Sequence, residues 1–187
     1  MTNPGTPLQK KKTAPLKAAD FSQSTADRLA FGIATFFGSG LSPIAPGTAG
    51  TLAALPLVAA VTTLPWAAQL VLWLIITLLG TWAAARVSVI TRTGDHGSIV
   101  IDEVIGMGIA ALLCPLAPIP FGIAFVLFRF FDITKPPPVR QVDQWSKNKA
   151  RESAYWGGFG VMADDILAGL QALAVYATLN HFGWIPQ

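Results

Sequence analysis

The sequence contains few charged residues. Asp, Glu, Lys and Arg together make up 12% of its 187 residues, whereas apolar residues make up 52%. A soluble domain averages about 25% charged residues. The chain therefore has too little polar surface for a typical soluble domain, and its composition predicts an integral membrane protein with one domain.

Cysteine and histidine are also scarce. The single cysteine, Cys114, excludes an internal disulfide and a zinc site built from several cysteines. No arginine follows it at the spacing of a cysteine-phosphatase loop. The apolar runs lack the strict alternation of apolar and polar residues that marks strands, so the pattern favours an all-α fold.

The basic residues are clustered on either side of apolar segments. Five lie before the first apolar stretch and six lie between Arg129 and Arg151. Such clusters mark the cytoplasmic ends of membrane segments, and no nucleic-acid motif accompanies them. We expect residues 1–25 to be a disordered basic cytoplasmic tail and residues 26–187 to be a helical membrane domain.

Two uncharged segments predict a helical hairpin. Ile44–Leu64 is followed by Pro65–Ala85, and "TTLP" forms the turn between them. A short apolar piece, "LAFGIATFF", precedes them, and a final apolar helix is expected at Ile166–Leu179. With the two halves of the next segment, these make a membrane-embedded bundle of about six helices, some short or broken.

The apolar run Val104–Phe128 is interrupted by "CPLAPIP". Each half is about a dozen residues, whereas a spanning helix needs about 20. Two short helices forming a hairpin would return the basic segment after Arg129 to the cytoplasmic side. A single span bent at the prolines is the competing interpretation.

Three of the ten acidic residues lie in "DHGSIVIDEVIGM", immediately before this apolar run. They are Asp95, Asp102 and Glu103. Ionised carboxylates at a membrane helix cost a few kcal/mol each, and this cost is offset when they bind a cation such as Mg²⁺. His96 beside them could donate to a phosphate oxygen. The alternative is that these side chains cap a helix or pair with arginines.

Arg129, Asp132 and Lys135 are spaced by three in "RFFDITKPPPVR", so they share one side of a helix end. Arginine and lysine together suit a phosphate, because one offers a planar fork and the other a point charge. The alternative is a set of cations that reach the membrane interface and form local ion pairs.

Two glycine-containing segments complete the set. "GSGLSPIAPGT", with Ser39, Gly40 and Ser42, has the composition of an anion-binding loop, although it is not a Walker A motif. "GGFGVMADD" places Asp164 and Asp165 at a predicted helix start, as caps or as metal ligands.

The predicted topology brings these segments to one membrane face. Carboxylates for a metal, cations for a phosphate and a glycine loop suit a phosphoester carried by a lipid. The chain lacks the usual nucleophile motifs of phosphatases, so attack by a metal-activated water or formation of an aspartyl-phosphate remains. A cation- or proton-coupled transporter is the alternative function, but no inverted repeat is visible. A non-catalytic membrane scaffold is a third interpretation.

Four segments resemble, in order, the signature blocks of the phosphatidylglycerophosphatase A family. They are "FGSGLSPIAPGTAGTLAALP", "DHGSIVIDEVIGM", "FRFFDITKPPPVR" and "GGFGVMADDILAG", and the resemblance covers Phe31 to Tyr176. It implies a magnesium-dependent phosphatase of the bacterial inner membrane, with a cytoplasmic active site, that converts phosphatidylglycerophosphate to phosphatidylglycerol. The matching polar positions are Asp95, His96, Asp102, Glu103, Arg129, Asp132, Lys135, Asp164 and Asp165.

Overall fold

The computed structural model describes residues 16–21, 23–93, 96–149 and 153–185, and within these ranges the chain is helical without strands. The all-α prediction is therefore confirmed. Two short 3₁₀ helices lie at Ala18–Phe21 and Ser39–Leu41. The α-helices are α1 Thr25–Ala34, α2 Pro46–Thr62, α3 Trp66–Thr91, α4 Ile101–Ala110, α5 Pro118–Thr134, α6 Val139–Lys149 and α7 Ala154–His181.

The predicted hairpin of α2 and α3 is present, with its turn at Thr63–Pro65. Pro46 begins α2, where a missing N–H costs nothing. Helix α3 continues six residues beyond the predicted end, because Arg86 pairs with Asp27 of α1 at 2.6 Å and keeps the last turns packed.

Helices α4 and α5 form the predicted hairpin, and the bent-span interpretation is wrong. Glu103 in the first turn of α4 lies 4.0 Å from Arg129 near the end of α5. Gly106 allows the two helices to approach, since a Cβ there would lie 2.3 Å from the Phe128 ring. At about 15 Å long, α4 is too short to cross a bilayer.

Helix α7 differs most from its predicted bounds. It begins at Ala154 and not at Ile166, so it has 28 residues. Its early glycines looked like helix breakers, but they allow close packing: a Cβ on Gly158 would lie 2.6 Å from the Thr81 carbonyl oxygen, and one on Gly160 would lie 2.2 Å from Ser146 Oγ. Tertiary packing thus outweighs the low helix propensity of glycine.

The other unpredicted helix is α6, which forms within the polar segment. It packs along α7 and also reaches α5 through ion pairs. Helix α7 contacts α3, α4, α5 and α6 and is therefore the centre of the bundle.

Among the residues that the structure describes, two helices are long and apolar enough to cross a bilayer, judged by length and composition: Trp66–Thr91 and Tyr155–His181. Large apolar side chains on the outside of the bundle agree with a membrane environment. On α3 these are Leu70, Val71, Leu74, Ile75, Leu78 and Leu79. The protein is therefore described as membrane-associated.

The predicted tail lies largely outside the described residues. Its later part contacts the bundle, because Phe21 is fully buried and its ring lies 4.9 Å from that of Phe31.

Candidate active site

Three carboxylates from two helices meet at one end of the bundle. Asp102 and Glu103 lie in the first turn of α4, and Asp165 lies in α7. One oxygen of each lies within 4.8 Å of the others, and Asp165 is buried. The predicted proximity of the α4 acids to the later acidic pair is therefore present in the structure.

These three acids could hold a cation between them. Glu103 Oε2 and Asp165 Oδ2 are buried and accept no hydrogen bond from the described residues. Burial raises the pKa of Glu103 to about 8; a hydrogen bond with Asp102 opposes this shift, and the charge of Asp165 adds to it. Carboxylate oxygens without a hydrogen-bond partner are ligands that a hard divalent cation prefers, so the residues fit such an ion.

Arg129 is held beside these acids. Its Nη1 donates to Asp132 at 2.8 Å and to Thr51 Oγ1 of α2 at 3.3 Å, and lies 4.0 Å from Glu103. Its Nε is buried and has no partner among the described residues. The guanidinium is thus fixed in orientation while its buried Nε–H remains for a further acceptor.

The start of α2 lies against Glu103 and Arg129. A Cβ on Gly47 would lie 2.3 Å from Glu103 Oε1 and 3.2 Å from Arg129 Nη2. Ala45, two residues before Gly47, has a φ of +47°, and this left-handed conformation turns the chain into the helix. A helix N-terminus favours an anion, so it adds partial positive charge here.

The predicted loop residues act locally. Ser39 Oγ donates to the Thr35 carbonyl at 3.2 Å, and Ser42 Oγ donates to the Ile44 carbonyl at 2.8 Å. Gly40 packs on the chain at Ser98, where a Cβ would lie 2.2 Å from the carbonyl oxygen. The contact with the acids comes instead from Gly47 in the helix that follows.

Lys135 forms a second charged group next to the first. Its ammonium donates to Asp164 of α7 and to Asp143 of α6, both at 2.6 Å. Asp143 also accepts from Lys147. Although burial opposes it, the charge of Asp164 raises the pKa of Lys135 above its ordinary value. Burial acts to raise the pKa of Asp143, but hydrogen bonds from Lys135 and Lys147 outweigh burial and keep this pKa below its ordinary value.

The structure therefore splits the acidic pair that was predicted to bind metal as a unit. Asp165 joins Asp102 and Glu103, whereas Asp164 pairs with Lys135. Successive helical residues point about 100° apart, which explains the division. Lys135, predicted to bind phosphate, already has two carboxylate partners.

His96 is buried in the turn before α4. Its Nδ1 accepts the Ser98 N–H at 3.2 Å, and its carbonyl accepts the Ile99 N–H. These bonds shape the turn that delivers Asp102 and Glu103. Asp95 lies outside the described residues.

Sequence reasoning missed two contributors. Thr51 supports Arg129, but one hydroxyl in an apolar helix gives no signal. Asp143 stands three residues after Arg140 in the sequence, yet that local spacing gives no indication of its partner Lys135, which lies in the preceding segment.

Comparison with known proteins agrees with the resemblance. The chain matches the family model described as Phosphatidylglycerophosphatase A over residues 32–180. Proteins of that name from Escherichia coli (strain K12) and Haemophilus influenzae are each 37% identical to this chain; each match covers 80% of this chain and 82% and 88%, respectively, of the relatives' own lengths. A Bacteroides thetaiotaomicron protein named "Putative phosphatidylinositol-3-phosphatase" is also 37% identical, over 78% of this chain and 89% of its own length. No solved structure matches. The chain belongs to the phosphatidylglycerophosphatase A family.

Proposed function

We propose that this protein is a Mg²⁺-dependent lipid phosphatase that hydrolyses phosphatidylglycerophosphate to phosphatidylglycerol and phosphate. The observation that carries the proposal is the group of Asp102, Glu103 and Asp165 beside the oriented Arg129. Three acids and one fixed guanidinium provide a cation site next to a phosphate site. The names of two relatives and of the matching family model support the same reaction.

Each side chain has a role in this proposal. Asp102, Glu103 and Asp165 would hold Mg²⁺ through carboxylate oxygens. When bound, the ion supplies a Lewis acid for the phosphoryl group. Arg129 binds a phosphate oxygen through its remaining donor, and Asp132 and Thr51 keep its plane fixed. Water adds to phosphorus, the bond to the glycerol oxygen breaks, and that oxygen leaves as a hydroxyl.

The second charged group would complete the phosphate site. The Lys135 ammonium has three donors, and two of them are used by Asp143 and Asp164. The third is available to a phosphate oxygen. We infer that Lys135 contributes positive charge to the substrate while holding Asp164 apart from the metal ligands.

The test is phosphate release by purified protein in mixed micelles of phosphatidylglycerophosphate with Mg²⁺. Asp102→Asn should lower kcat by at least 10²-fold, the scale on which loss of an electrostatic catalytic group is felt. Asp20→Asn, the same change at an exposed acid, is the matched control and should leave kcat unchanged. Equal rates in the two variants would remove Asp102 from the site. No release by the wild-type protein would reject the phosphatase assignment.

The substrate needs its own comparison, because one relative carries the name of a different lipid phosphatase. Phosphatidylglycerophosphate and phosphatidylinositol 3-phosphate should be assayed in the same micelles. We expect the larger kcat/KM with phosphatidylglycerophosphate. The opposite order would reassign the substrate and leave the chemistry of the site as proposed.

We also propose that the site faces the cytoplasm from a bacterial inner membrane, because basic residues are concentrated at this end of the chain's apolar segments. In a Cys114→Ser background, single cysteines at the exposed positions Gly97 and Gln141 should react with the same membrane-impermeant reagent from the cytoplasmic side only. Labelling from opposite sides would contradict this arrangement.

A further inference from the structure

Aromatic rings form an exposed cluster between α6 and the start of α7. Trp145 of α6 packs edge-on against Trp156 and Phe159 of α7, with ring centroids 6.2 and 6.4 Å apart. Tyr155 extends the cluster. All four rings are exposed, and Trp156 has 47% of its surface accessible. Exposed aromatic clusters of this size mark an interaction surface.

The packing of α3 against α7 fixes the height of this cluster. A Cβ on Gly80 would lie 3.0 Å from Met162 Sδ, and one on Gly158 would lie 2.8 Å from the Ala85 nitrogen. The two helices are therefore antiparallel, and Trp82 lies level with Phe159. Trp82 is itself exposed, so it belongs to the same level as the cluster.

A second aromatic level lies at the other end of the same two helices. Trp66 begins α3 and Trp184 follows α7, and their exposed fractions are 74% and 72%. Trp66 and Trp82 are sixteen residues apart on one helix, which corresponds to about 24 Å. The exposed large side chains of α3 between them are Leu or Ile or Val. This spacing approaches the roughly 30 Å of bilayer hydrocarbon.

We propose that the cluster of Trp145, Tyr155, Trp156 and Phe159 is an interfacial anchor that sits in the lipid headgroup layer and fixes the depth of the catalytic site. Its partner is a lipid bilayer, because tryptophan and tyrosine favour the membrane–water interface and because Trp82 of α3 is exposed at the same level.

The anchor sets where the carboxylate group meets the substrate. Asp165 follows Phe159 by six residues on α7, so it lies about 9 Å further toward the bilayer centre. The site then lies below the headgroup layer, within one leaflet, where a phosphate monoester on a membrane lipid can reach it and one dissolved in water cannot without leaving bulk solvent. The access of a lipid phosphate to the site rests on the proposed function, whereas the depth of the aromatic cluster in the bilayer does not.

The depth can be measured without turnover. The full chain, with Cys114→Ser, would be placed in vesicles of phosphatidylcholine and phosphatidylglycerol with one nitroxide-labelled cysteine. Trp156→Cys tests the anchor, Leu74→Cys reports the bilayer centre, and Asp20→Cys reports water. Collision rates with oxygen and with a water-soluble nickel chelate give the depth of each label.

We expect the label at Trp156 to lie near the lipid phosphates and the label at Leu74 to lie about 16 Å deeper. Leu74 precedes Trp82 by eight residues, and Trp156 lies three residues outward of Phe159, which is level with Trp82. Nickel access at Trp156 equal to that at Asp20 would overturn the proposal, as would a depth equal to that of Leu74. If the label at Trp156 were protected from both oxygen and the nickel chelate, and if this protection disappeared on dilution with lipid, the surface would bind a second copy of the chain. That result would also overturn the proposal.

A second measurement avoids the cysteine substitutions. In vesicles whose phosphatidylcholine is brominated close to the headgroup, Trp156→Phe should retain the fold and remove part of the tryptophan fluorescence that bromine quenches. Unchanged quenching would place Trp156 outside the lipid and contradict the anchor. Because this readout needs no substrate, its failure is distinguishable from failure of the phosphatase assignment.

Discussion

Adding one methyl group at Gly47 should inactivate the enzyme without unfolding it. The Cβ of Gly47→Ala would lie 2.3 Å from Glu103 Oε1 and 3.2 Å from Arg129 Nη2. The first distance is about 1 Å short of ordinary contact at 3.4 Å. Both neighbours are the ends of side chains and not backbone, so they can move away and the helix can remain in place.

The displacement falls on two groups of the proposed site. Moving a catalytic group by about 1 Å costs on the order of 10²-fold in rate. Stability should change little, because alanine is favoured over glycine in a helix by about 1 kcal/mol, which offsets part of the strain. We therefore expect kcat/KM for phosphate release to fall roughly 100-fold while Tm stays within a few degrees.

Gly122→Ala is the matched control. It makes the same change within α5, where a Cβ would meet no atom within 4 Å. Its kcat/KM should equal that of the wild type and its Tm should be equal or slightly higher. If Gly47→Ala were as active as Gly122→Ala, the contact of α2 with Glu103 would have no part in catalysis, and the site as described would be wrong.

Three further outcomes are expected. Asp143→Asn removes the negative charge and one of the two oxygens that accept from Lys135 and Lys147, and it should lower the free energy of unfolding by about 1 to 3 kcal/mol. Since the folded-state pKa of Asp143 is lowered, the wild-type advantage is fully present above its ordinary pKa and should disappear as the pH falls through the folded value, as followed by urea denaturation. Asp165→Asn relieves repulsion among buried acids, so the Tm of the metal-free protein should rise. The wild-type protein should gain about 2.7 kcal/mol of stability at a Mg²⁺ concentration of 100 times its Kd, and the variant should lose this gain. An unchanged response to Mg²⁺ would exclude Asp165 as a ligand. Gly106→Ala would press on the Phe128 ring at 2.3 Å and should cost about 1 to 3 kcal/mol by overpacking, a loss that thermal melts would detect and that Phe128→Leu should partly restore.

The parts of the fold that follow from covalent geometry were predictable. Proline is strongly disfavoured past the first turn of a helix, so the three prolines of "CPLAPIP" predicted the break between α4 and α5. The charge asymmetry then indicated a hairpin, which places Glu103 and Arg129 at the same end.

The parts that depend on packing partners were not predictable from one sequence. The glycines at 158 and 160 have low helix propensity, and only the positions of Thr81 and Ser146 show why a helix runs through them. For the same reason the sequence could place Asp164 and Asp165 at the site but could not divide them between two charged groups. Which partner a helical side chain meets depends on how the neighbouring helices pack around that helix.

The adjacency of Asp164 and Asp165 makes the site sensitive to the length of the chain before it. Each of the two neighbours serves a different charged group. Deleting one residue from α7 between the Gly158 contact with α3 and this pair would rotate everything beyond it by about 100°. Both carboxylates would then miss their partners, although no functional residue had been altered. This stretch of α7 should therefore tolerate exchanges of side chains far better than changes of length.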